Sequence, residues 1–142
     1  FADGQPPDRP LARHRLADLF LDPRYYNAHT TASDALWAGL PVLTCEGETF
    51  AARVASSLLH AVGLPELVTH SLDEYESLAL QLASDPARLA AIKSRLANNL
   101  PAAPLFDTVR YTRHIEAAYR RMWEISQKGK GPQSFAVEPL PR

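Results

Sequence analysis

Tyr26-Asn27-Ala28-His29-Thr30-Thr31-Ala32-Ser33-Asp34-Ala35-Leu36-Trp37-Ala38-Gly39-Leu40-Pro41-Val42-Leu43-Thr44 contains a loop, a helix and a strand in succession. Residues 24–30 are polar and aromatic without periodicity, which predicts a loop. Thr31 to Ala38 predicts a short helix stopped by Gly39, with Pro41 just beyond. Glycine ends helices because it takes the left-handed conformation freely, and proline cannot continue one. Pro41 to Cys45 is apolar and β-branched, the composition of a strand buried on both faces. Upstream, Leu19-Phe20-Leu21 stops at Asp22-Pro23 and predicts another buried strand. Strand, helix and strand in this order indicate a parallel α/β arrangement.

Working outward, residues 10–17 predict a short helix, and residues 3–10, with Gly4, Pro6, Pro7 and Pro10, a loop. Phe1-Ala2 reads as the end of a further strand. Downstream, Phe50, Val54, Leu58 and Val62 recur every four residues and predict a helix ended by Gly63. Leu67 to Thr69 is a third strand candidate. Helix 73–84 carries Tyr75, Leu78, Ala79 and Leu82 on one face, and helix 86–99 carries Leu89, Ile92 and Leu96. Asp85-Pro86 opens the second of these, with Asp as N-cap and Pro at the first helical position. Asp107 caps a last helix with Tyr111, Ile115, Ala118 and Met122 on one stripe, and residues 127–142 read as a flexible tail. The expected architecture is a Rossmann-like parallel sheet with C-terminal helices. With three strands and the stub at Phe1, the sheet suits part of a larger domain, a lobe spanning residues 1–126.

Composition sets wide bounds. The 142 residues are 46% apolar and 22% charged, with a formal net charge of −1. That balance gives no long-range pull toward nucleic acid or an anionic membrane. The single cysteine, Cys45, excludes an internal disulfide and fits a reducing, cytoplasmic setting. No apolar run approaches the ~20 residues of a membrane span, and no signal peptide is evident. The chain begins at Phe1 rather than methionine, which suggests that the protein starts further upstream.

The chemistry concentrates where the loop meets the first predicted helix of the opening stretch. Open α/β sheets bind ligands outside the C-terminal ends of their strands. A helix N-terminus there offers unpaired N–H groups and about half a positive charge, which suits a diphosphate. His29, Thr30 and Thr31 add donors, and Asp34, one turn in, suits a sugar diol. Thr31-Ala32-Ser33-Asp34 is equally a capping-box pattern with Asp in place of Glu. Spacing alone leaves both readings open, since a capped helix still has free N–H groups. Thr49 is expected to cap the following helix, Arg53 to pair with an acid on that helix, and Cys45, Trp37 and Trp123 to pack in the core, with a lobe interface as the alternative for Trp123. Arg110, Arg113, Arg120 and Arg121 read as a solvated basic face.

Residues 26–44, the following Gly47-Glu48-Thr49-Phe50-Ala51-Ala52-Arg53-Val54-Ala55, and later Pro104-Leu105-Phe106-Asp107-Thr108, Tyr111-Thr112 and Met122-Trp123-Glu124 resemble the C-terminal lobe of the O-linked N-acetylglucosamine transferase family. The resemblance covers about residues 10–125. It implies a GT-B fold with the donor nucleotide between two lobes. It also implies that His29, Thr30 and Thr31 hold the donor diphosphate, His29 supporting the leaving group, and that Asp34 holds the ribose. It implies a metal-independent reaction without a cofactor, a UDP-sugar donor and a Ser or Thr acceptor on a protein. Members with this lobe use UDP-N-acetylglucosamine, UDP-glucose or GDP-fucose.

Two features depart from the family pattern. The lysine that assists the leaving phosphate belongs to upstream sequence, so no catalytic residue is carried over onto this chain. Pro10 stands where members often carry a base-packing histidine, which leaves Arg13 or Arg15 to reach the base edge, although each reads first as a plain solvated helix charge. The N-terminal catalytic lobe and helical repeats of the family are absent from this sequence, so the fragment alone is expected to be inactive. The alternative is a truncated, non-catalytic lobe that binds nucleotide or a protein partner only.

Overall fold

The structure is a computed structural model that describes residues 8–139. The strand stub expected at Phe1 lies outside them. Among the described residues three short parallel strands form the sheet: β1 (Phe20–Leu21), β2 (Val42–Cys45) and β3 (Val68–Thr69). They lie in the order β1-β2-β3, with Phe20 opposite Val42, Leu21 opposite Leu43, Thr44 opposite Val68 and Cys45 opposite Thr69. Each parallel step needs a crossover. Helix α2 (Thr30–Trp37) supplies the first, and α3 (Val54–Ala61) the second. A short helix α1 (Asp8–His14) precedes the sheet, and α4 (Leu72–Ser84) and α5 (Pro86–Asn99) follow it. The chain divides into two compact units after Ala103. The second unit contains α6 (Thr108–Gln127), and its residues 131–139 have no regular secondary structure.

The expected fold class holds. β2 is central and buried along its whole length, as its apolar and β-branched composition predicts. β1 differs from expectation: Leu21 is 56% exposed, because among the described residues β1 pairs on one side only. Leu36, Leu43, Leu59, Leu64, Leu67, Leu82 and Leu96 form the core around β2. Truncating one of these loses transfer energy and leaves a cavity. Leu59→Ala is therefore expected to destabilise the protein by about 2–5 kcal/mol, read as a lowered urea midpoint with an unchanged m-value.

The α3 face needs correction. Phe50, Val54, Leu58 and Val62 were the expected stripe, but Phe50 lies in a separate 3-10 turn (Phe50–Ala52) and is 82% exposed. The buried face is Ala55, Ser56, Leu59 and Val62. A strict four-residue repeat drifts around a helix of 3.6 residues per turn, so it cannot stay on the core. Trp37 and Trp123 are not core residues either, being 59% and 65% exposed. The inward face of α2 is Ala32, Ala35 and Leu36, and Trp37 is rotated about 100° from Leu36. In α6 the buried residue is Ile125, two positions and roughly 200° away from Trp123.

Local chemistry sets the ends of the elements. Ser71 accepts from the Glu74 N–H at 3.1 Å, while the Glu74 carboxylate accepts from the His70 N–H at 2.8 Å, opening α4. Asp85 and Asp107 accept from the N–H groups of Arg88 (3.0 Å) and Arg110 (2.9 Å), the caps expected for α5 and α6. Gly39, at φ +85°, turns the chain from α2 into β2 in a conformation costly for any other residue.

Candidate nucleotide-sugar site

Two loops leave the C-terminal ends of β1 and β2, and together they shape the mouth of α2. The first runs from Asp22 to His29. Asp22 is 4% exposed. Its carboxylate accepts from the Ala28 N–H at 2.6 Å and from the Thr44 hydroxyl of β2 at 2.6 Å. Its N–H donates to the Leu43 carbonyl at 3.0 Å, and its carbonyl accepts from the Tyr75 hydroxyl of α4 at 3.1 Å. One residue thus joins β1, β2, α4 and the loop. Burial pushes the Asp22 carboxyl above its ordinary value, against the lowering effects of the Thr44 hydroxyl, the Ala28 N–H and His29. The Tyr75 hydroxyl is pushed up by burial, then by the Asp22 charge and Cys45.

The second loop, 46–52, is fastened to the first. The Asn27 N–H donates to the Ala51 carbonyl at 2.9 Å, and the Asn27 side-chain amide donates to the Pro23 carbonyl at 2.9 Å. The Gly47 N–H donates to the Ala52 carbonyl at 2.9 Å, and the Thr49 hydroxyl caps the turn by accepting from the Ala52 N–H at 3.2 Å. A Cβ on Gly47 would lie 2.7 Å from the Ala52 Cβ, so only glycine allows this closure.

α2 starts one residue earlier than expected, and its N-cap is His29. No side chain caps it, so the Thr31–Asp34 capping box is not formed. The first intrahelical bond runs from the Ser33 N–H to the His29 carbonyl at 3.1 Å. The N–H groups of Thr30, Thr31 and Ala32 have no acceptor among the described residues. The Thr30 and Thr31 side chains are exposed and Asp34 is half-buried. None of these three side chains has a hydrogen bond or ion pair among the described residues.

The His29 ring is half-buried. It stacks on Tyr26 with centroids 4.9 Å apart and planes 16° from parallel, and meets Phe50 edge-on at 6.2 Å and 87°. Its Nε2 lies 3.4 Å from the Ala51 carbonyl oxygen. The structure therefore brings His29, Thr30, Thr31 and Asp34 together at one uncapped helix start. Arg13, in the last turn of α1, is exposed and has no hydrogen bond or ion pair to them among the described residues, and Arg15 is likewise exposed. Cys45 is buried, as expected. Arg53 does find a carboxylate, but it is Glu46 just after β2, at 2.6 Å, rather than an acid on its own helix. Among the described residues no three His, Cys, Asp or Glu side chains cluster as metal ligands, and no helix is long and apolar enough to cross a membrane.

Asp22 and Asn27 went unrecognised as residues that build this mouth. Asp22-Pro23 looks like an ordinary strand stop. The available signal was Thr44: a hydroxyl inside a strand buried on both faces needs an acceptor, and Asp22 supplies it.

Comparison with known proteins matches this architecture to a family. The model of glycosyl transferase family 41 matches residues 1–115. A probable UDP-N-acetylglucosamine–peptide N-acetylglucosaminyltransferase SEC of Arabidopsis thaliana is 41% identical over 89% of this chain and 13% of its own length. The UDP-N-acetylglucosamine–peptide N-acetylglucosaminyltransferase of Caenorhabditis elegans is 38% identical over 84% of this chain and 10% of its own. A mutant O-GlcNAc transferase of Thermobaculum terrenum superposes with a TM-score of 0.83 at 38% identity, over 90% of this chain and 25% of that one. The chain thus spans a quarter or less of the relatives it matches. By its sequence and by its fold, this chain belongs to glycosyl transferase family 41.

Proposed function

We propose that this chain is the donor-binding C-terminal part of a cytoplasmic protein O-glycosyltransferase that moves N-acetylglucosamine from UDP-N-acetylglucosamine to Ser or Thr of a protein, without a metal. The observation that carries the reading is the start of α2. Three N–H groups without acceptors among the described residues open at the C-terminal edge of a parallel sheet, beside His29 and the hydroxyls of Thr30 and Thr31. Such a terminus binds phosphate oxygens without any ion. As the sugar leaves, charge grows on the diphosphate, and preorganised donors stabilise it more than they stabilise the bound donor. Asp34 lies one turn deeper, where a carboxylate without a partner can accept from ribose hydroxyls. The names of the relatives supply the sugar, and an upstream lobe would supply the remaining catalytic groups and the acceptor site. Arg13 has no hydrogen bond or ion pair that draws it to this mouth among the described residues, so its reach to the base depends on the bound nucleotide.

Calorimetric titration of the complete protein with UDP, and with GDP as comparator, tests the reading in the presence of a chelator. Saturable UDP binding that survives chelation is the expected result. Preference for GDP would move the assignment to a different nucleotide, and absence of binding would sink it. Asp34→Ala is expected to weaken UDP binding by roughly tenfold, the loss of one charged hydrogen-bond partner. Because the Asp34 side chain caps nothing here, its loss should leave the melting temperature within a few degrees.

A further inference from the structure

We propose that Tyr26 and Phe50 are positioning residues for His29, holding its ring in the orientation that meets the donor diphosphate; this rests on the diphosphate reading above. Both rings are unusually open for their size, Tyr26 at 67% and Phe50 at 82% exposure, so core burial does not account for their placement. What they touch is His29. Tyr26 covers one face of the imidazole nearly in parallel, and Phe50 meets it edge-on from the second loop. The Ala51 carbonyl faces Nε2. A histidine side chain has two soft torsions, and these three contacts restrict both. The contacts stand on fixed backbone: the loop carrying Tyr26 is tied at Asn27 and Ala28, and the turn carrying Phe50 is closed by Thr49 and Gly47. The Tyr26 hydroxyl makes no hydrogen bond among the described residues, so the ring face, not the hydroxyl, does the holding. A ring fixed before the ligand arrives costs little ordering entropy on binding.

The test is UDP affinity of the complete protein by calorimetry, with melting temperature recorded for each variant. Tyr26→Phe should bind within about twofold of the parent. Tyr26→Ala and Tyr26→Leu should each bind about three- to tenfold more weakly, the size of an aromatic pair contribution. In a His29→Ala background, Tyr26→Ala should cause no further loss, because its effect passes through the imidazole. The same loss in both backgrounds would show that Tyr26 acts on its own and would overturn the proposal. If His29→Ala binds too weakly to measure, equal affinities for Tyr26→Phe and Tyr26→Leu overturn it instead. Unchanged binding in His29→Ala would remove the diphosphate assignment itself, and the positioning role with it. A weakened His29→Ala beside an unaffected Tyr26→Ala removes the positioning role alone.

Discussion

Replacing His29 by alanine in the complete enzyme will lower turnover about 10²- to 10³-fold while leaving the fold intact. The magnitude follows from the proposed role of His29, one preorganised donor facing charge that develops in the transition state. The fold should survive because His29 bears little structural load. Its ring contacts are to two exposed aromatics, and its one polar contact is a 3.4 Å approach to a backbone carbonyl. The helix start does not need it either, since the imidazole forms no capping bond. Steady-state kinetics with saturating donor, beside a thermal melt, separates the two expectations. A drop in turnover together with a collapsed melt would make His29 structural, and normal turnover in a folded variant would exclude it from the site.

Much of this was legible because local rules and the tertiary fold agree. The runs at Val42–Cys45 and Val68–Thr69, the Gly39 and Gly63 stops, and the Asp85 and Asp107 caps each follow from chemistry within a few residues. The start of α2 was legible as a helix opening at the C-terminal end of a parallel strand for the same reason. Its capping was not. Thr31, Ser33 and Asp34 have the spacing of a box, but the helix begins one residue earlier and puts Thr31 inside its first turn. A one-residue shift turns a capping side chain by about 100° away from the N–H it was to reach.

What stayed hidden depends on contacts far apart in the chain. Phe50 and Trp37 look like core residues by composition, yet each faces outward, and the small residues nearby, Ala52 and Ala55 or Ala32 and Ala35, are the buried ones. Asp22 looks like a turn residue, yet it is bound by groups 6, 22 and 53 positions away. No local pattern encodes such a hub. Only the parallel register, which sets the end of β1 beside Thr44, brings its partners into reach.

Asp22→Ala is therefore expected to be among the most disruptive polar substitutions, destabilising the protein by about 2–4 kcal/mol and loosening the loop before α2. It orphans the Ala28 N–H and the Thr44 hydroxyl, each at about 1–3 kcal/mol when buried, less the relief of removing a buried carboxyl. Asp22→Asn should cost clearly less, because an amide can still accept from Ala28 and donate to the Thr44 oxygen. The pH dependence has a definite sign. Burial raises the folded-state value of Asp22 above the ordinary 3.8, so folding favours the protonated form. Its stabilising contribution is then full below the ordinary carboxylate value and falls as pH rises through the raised folded value. The gap in stability between the parent and Asp22→Ala should accordingly be wider at acid pH, below that ordinary value, than at neutrality. Urea denaturation of the two proteins at a series of pH values measures the gap directly. A gap that narrows on acidification would mean that the hydrogen bonds from Ala28 and Thr44 outweigh burial, and that Asp22 holds the loop as a carboxylate whose value is lowered on folding.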